Sequence, residues 1–109
     1  MSLQTTVLRG NIYASFLVYP SLTPAQVSGS TTVTQTFTIP GLAVNDCVNI
    51  SFNGAQTTSI SIVNAWVSAA NTLSIHFVNA SGSAVTPAAG TYILAVDRLE
   101  GTILPTNAA

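Results

Sequence analysis

The chain is expected to be all-β, and three observations carry that expectation. Thr, Val and Ile are abundant; the strong helix formers Glu and Lys are reduced to Glu100 alone. Apolar and polar residues alternate with period two in several short segments, and Gly, Pro and Asn turn signals separate those segments. Short strands at this spacing predict a single antiparallel β-sandwich spanning residues 1–109. Residues 1–10 and 100–109 carry little pattern and are expected to be extended arms.

Each element follows from local composition. Asn11–Tyr19 is a strand of weak alternation closed by Pro20, and Ser21–Ser30 is expected to be a loop of small residues. Val33, Phe37 and Ile39 alternate with Thr32, Thr36 and Thr38 until Pro40-Gly41 ends the strand. Val48, Ile50 and Phe52 alternate with Asn49 and Ser51, and Asn53-Gly54 is a strong turn dipeptide. Ile60-Ser61-Ile62 alternates too, but Ala65 and Trp66 shift the parity, which predicts a bulge or burial on both sides. Leu73, Ile75 and Phe77 alternate with Ser74 and His76, so residues 60–67 and 72–78 form a hairpin through Ser68–Asn71. Asn79–Ser83 is a loop, and Pro87–Gly90 a turn before the strand Thr91–Leu99.

Composition narrows the function. Of 109 residues, 48% are apolar but only 5% are charged, against about 25% in an ordinary soluble domain. Ser, Thr, Asn and Gln hydrate a surface without giving copies much mutual repulsion, and the formal net charge is -1. A surface of this kind is expected to be covered, by copies of the chain or by a larger assembly. No apolar run approaches the roughly 18 residues of a membrane-spanning helix, so no membrane partner is expected. Two basic residues are too few to track phosphates, which argues against nucleic acid. The N-terminus has neither a basic segment nor a continuous apolar one, so synthesis in a cytoplasm is expected. Cys47 is the only cysteine, which excludes an intrachain disulfide.

The chemical inventory is thin. His76 points away from the face of Ile75 and Phe77; as a base or metal ligand it would need Asp46 or Asp97 across the sheet, and a solvent-facing or interface role is the simpler reading. Cys47 has no cationic neighbour in sequence to activate it and is expected to be a small buried or interface residue. Asp46 stands where a carboxylate caps a turn. Asp97-Arg98-Leu99-Glu100 is the one charge cluster, either an intersubunit salt-bridge element or a solvated strand end. Arg9 is placed to anchor an N-terminal arm on an acidic neighbour. Asn49-Ile50-Ser51 and Asn79-Ala80-Ser81 match a glycosylation triplet by chance in a chain without a signal sequence. Trp66, Tyr13, Tyr19 and Tyr92 are spread over different strands, which favours packing or interface roles over a sugar-stacking platform. Phosphate loops, cysteine-pair metal spacings and paired catalytic carboxylates are missing, so neither an enzyme nor a cofactor or metal is expected. Candidate interface residues are Arg9, Trp66, Asp97, Arg98 and Glu100.

The segment from Ala65 to Gly82, followed by Val85-Thr86-Pro87 and Gly90-Thr91-Tyr92, resembles a recurring stretch in small β-sandwich virion proteins of tailed bacteriophages. Ile39-Pro40-Gly41-Leu42 and Asn45-Asp46-Cys47-Val48 are similar to the part that precedes it there, so the resemblance covers roughly residues 37–96. It implies a jelly-roll-like homo-oligomer, often a trimer, seated on the major capsid protein or another virion protein as a capsid decoration (cement) protein, localised to the virion. The alternative it carries is a fibre head or a receptor- or carbohydrate-binding module of a phage tail. It transfers no catalytic residue.

Overall fold

Tyr92, Leu94 and Val96 on one strand and Leu73, Ile75 and Phe77 on another are all essentially inaccessible to solvent, and the fold is arranged to bring these two rows into one core. A computed structural model of the chain describes the backbone of residues 12–99 and the side chains of residues 14–98. Among them are seven strands and no helix: β1 (Ile12–Val18), β2 (Ser21–Leu22), β3 (Thr31–Thr38), β4 (Cys47–Phe52), β5 (Ile60–Ala69), β6 (Thr72–Asn79) and β7 (Gly90–Leu99). They form two antiparallel sheets in a sandwich-like arrangement. In the first, β7 is central, with β4 along one edge and β1 then β2 along the other. In the second, β6 lies between β3 and β5. The expected arms lie outside the described residues.

Alternation decides which side chains enter the core. Val48, Ile50 and Phe52 stand opposite Val96, Leu94 and Tyr92, so β4 turns its apolar row inward with β7. Phe37, opposite Leu73, does the same from β3. Ile60, Ile62, Ala65 and Val67 line the inner face of β5. The parity shift read in that strand is real: register slips at Val63 and again at Ser68, and each bulge admits one extra residue while keeping the apolar ones inside. The expected hairpin is present, with strands that run to Ala69 and from Thr72, leaving Ala70-Asn71 as the turn and Asn71 at φ 62.

Two expectations change. Ser21–Ser30 is not wholly loop: β2 continues the edge that Pro20 interrupts, and Val27 bridges Val85. A proline lacks the N–H needed for a ladder, but its carbonyl still accepts from Tyr92 N at 2.8 Å, so the edge resumes one residue later. The side chain of Gln35 then fastens this connection, donating to Ala25 O and accepting from Ala25 N, both at 2.8 Å. The Asn53-Gly54 turn does not make a hairpin either. β4 pairs with β7, and the chain crosses to the other sheet before β5 begins.

Buried polar groups organise one end of the sandwich. Asn79 is 1% exposed, and its amide donates to Val27 O at 3.0 Å and Ser83 O at 2.8 Å while accepting from Ser81 N and Ser81 Oγ at 2.9 Å. This side chain ties the two loops that close that end, and where they cross Gly29 is required: a Cβ there would stand 2.5 Å from the Gly82 carbonyl carbon. Tyr92 is treated similarly. Its hydroxyl donates to Ala88 O at 2.6 Å and accepts from Gln56 at 3.1 Å, and its ring meets Phe52 edge to face at 4.9 Å. Truncating Phe77 to Ala should cost about 3–5 kcal/mol in urea unfolding. Asn79→Ala, which strips donors from buried carbonyls, should cost on the order of 1–3 kcal/mol.

Candidate interaction face

The outward side of the β3–β6–β5 sheet is built wholly of uncharged side chains. Because Leu73, Ile75 and Phe77 face inward, Thr72, Ser74, His76 and Val78 face outward from β6. Opposite them on β3 stand Thr38, Thr36, Thr34 and Thr32, all exposed. From β5, Trp66 stands across from Ser74 and Asn64 across from His76. The indole of Trp66 is 37% exposed, which makes it the large aromatic group of this face. Neighbouring hydroxyls are used locally: Thr34 Oγ1 lies 3.0 Å from His76 Nδ1, and Ser74 Oγ donates to Ser68 Oγ at 2.8 Å.

Charge is gathered elsewhere. Asp46, at the entry to β4, accepts from the Ala43 N–H at 3.0 Å, as a turn-capping carboxylate does. It also receives a two-pronged contact from Arg98, Nε to Oδ1 at 3.0 Å and an amino nitrogen to Oδ2 at 2.8 Å. The same guanidinium donates to Gly41 O at 2.7 Å and stands 5.6 Å from the centre of the Phe16 ring. Arg98 is therefore engaged within the chain, pinning the turn that follows β3 to the last strand. Asp97, on the opposite face of β7, is exposed and accepts from Ser15 Oγ.

The residues singled out from the sequence thus separate. Trp66 lies on the uncharged face, Asp97 and Arg98 at the far end of the other sheet, and Arg9 and Glu100 outside the described residues. His76 faces outward as expected, but Asp46 and Asp97 belong with the other sheet and its entry turn rather than beside it. Cys47 is exposed, not buried. Tyr92 is core and Tyr19 is 58% exposed on the edge of the β7 sheet, so Tyr19 and Trp66 do not share a face; the Tyr13 side chain lies outside the description. Among the described residues no three His, Cys, Asp or Glu side chains come together.

What sequence reasoning missed was the extent of the face, including Thr34, Asn64 and Ser68. The signal was available in the positions of charge. All charged residues stand at 9, 46, 97, 98 and 100, which leaves the three strands of this sheet without one. No family model, curated protein or solved structure matches the chain.

The Arg98 contact holds the Asp46 carboxyl below its ordinary value of 3.8, assisted by the Ala43 N–H and opposed by burial. A carboxyl lowered on folding contributes stability above the unfolded value and loses it as pH falls through the folded one. Acid unfolding should therefore steepen below about pH 3.8, and Asp46→Asn should flatten that limb of the stability–pH curve.

Proposed function

We propose that the chain is a non-enzymatic structural protein of a tailed-bacteriophage virion, a capsid decoration protein that self-associates, as a trimer, and lies against the outer shell. The jelly-roll form of the sandwich, the reading of both ends as arms that reach neighbouring subunits or the shell, and localisation to the virion belong to this proposal. The observation that carries it is the uncharged outer face of β3–β6–β5. Burying Thr, Ser and Asn side chains that can exchange water for partner hydrogen bonds avoids the several-kilocalorie cost of desolvating unpaired charge. The β5–β6 hairpin that builds the middle and one border of this face is also the segment whose sequence resembles the phage pattern. Trp66 would be its anchor, since large aromatics at the centre of an interface account for most of its energy.

A second reading rests on the same indole. An exposed Trp66 among Ser, Thr and Asn is a surface on which a neutral sugar ring can stack, as in a receptor-binding module.

Mass spectrometry of particles purified from a host carrying the gene should find the chain as an abundant virion component, and its absence overturns the virion assignment. Trp66→Ser should leave the fold intact and lower particle occupancy by about tenfold or more, on the scale of a hot-spot residue. A Trp66 fluorescence change when the isolated protein meets neutral oligosaccharides, with no binding to particles, would establish the second reading instead.

A further inference from the structure

A strand at the border of a sheet exposes a row of unpaired N–H and C=O groups. Monomeric proteins guard such borders with lysine, inward-pointing charge, proline, bulges or a covering element. The borders on one side of this structure are guarded: β4 and β5 run close beside each other, and β5 is bent by bulges at Val63 and Ser68. The other side is bounded by β1 and β3, which among the described residues pair only with β7 and β6. β3 keeps unbroken register with β6 along its eight residues and contains neither charge nor proline. β1 is regular from Ala14 to Val18 and is equally uncharged.

The exposed apolar side chains collect on this side. Phe16, Leu17 and Tyr19 belong to β1 and its end, and Val33 to β3. Phe16 stands opposite Val96 and Val33 opposite Phe77, so both occupy inward-facing positions, yet they remain 37% and 36% exposed while those partners are buried. An inward row left open at its outer margin is what a further strand would cover.

We infer that the β1–β3 side is an interface between copies of this chain, made by backbone pairing along these two edges. A second copy is the occupant the observations favour. It presents uncharged edges of matching length, so identical surfaces meet without the like-charge repulsion that ordinarily keeps sheet edges apart. An ionic partner would find no charged side chain on either strand. The inference rests on the self-association in the proposed function, but it does not depend on any particle.

Sedimentation equilibrium of the full chain at micromolar concentration should show an oligomer. Leu17→Lys combined with Val33→Lys should weaken association more than tenfold while keeping the native circular dichroism; Val63→Lys, on the opposite side, should leave it unchanged. Hydrogen exchange on the unaltered protein provides a measurement independent of any variant's folding: amides of β1 and β3 should gain protection as concentration rises. A monomer overturns the inference, as does association that survives in the folded double variant. Concentration-independent protection of β1 and β3 that disappears on deleting residues 1–11 or 100–109 would assign the edges to the chain's own ends, and also overturns it. Loss of particle binding with the oligomer intact would count against the virion reading alone.

Discussion

The rest of the molecule depends on two buried rows, Leu73-Ile75-Phe77 on β6 and Tyr92-Leu94-Val96 on β7. Each row belongs to the central strand of its sheet, so its side chains can be covered from both flanks as well as from the facing sheet. With so few charges available, little besides this burial and the backbone ladders can hold the sheets together. At about 25 cal/mol per Å² of apolar surface removed from water, the contribution grows with completeness of cover, which is why the loops at one end are drawn in by Asn79 rather than left open.

The same scarcity gives the Asp46–Arg98 contact a role that a single ion pair seldom has. It joins residues 52 positions apart and, through Gly41 O, holds the turn after β3 against the end of β7. The guanidinium is partly open to water, so its Coulombic part is screened; its geometric part, three directed donors fixing two turns and a strand end, is not.

How much of this was legible in the sequence differs by physical origin. Strands β3, β4 and β6 could be read because one face is wet and the other dry, and period-two alternation is the direct imprint of that difference. The β5 bulges announced themselves by the slip at Ala65 and Trp66. β2 did not, because two residues beside a proline leave no periodicity to detect. Nor could pairing be read from Asn53-Gly54: a turn dipeptide declares that the chain bends, whereas the partner of β4 is chosen by the row on β7, some forty residues later. The interaction face was half visible, as polar Thr positions on β3 and an isolated Trp66. Its continuity across three strands is a property of register, which local composition does not encode.

That β7 is both the last described strand and the centre of its sheet has a consequence for synthesis. β1, β2 and β4 all take their partner from it, over separations reaching 82 residues, as between Ser15 and Asp97. The β3–β6–β5 sheet is complete once Asn79 has left the ribosome, but its inner face then has nothing to pack against. Three segments of the other sheet must wait unpaired until the chain has emerged through Leu99. Folding is thereby deferred to the end of translation and made slow by its long-range closures, so the interval in which Leu17, Val48 and Phe52 stand unprotected is set by the rate at which the last stretch is made.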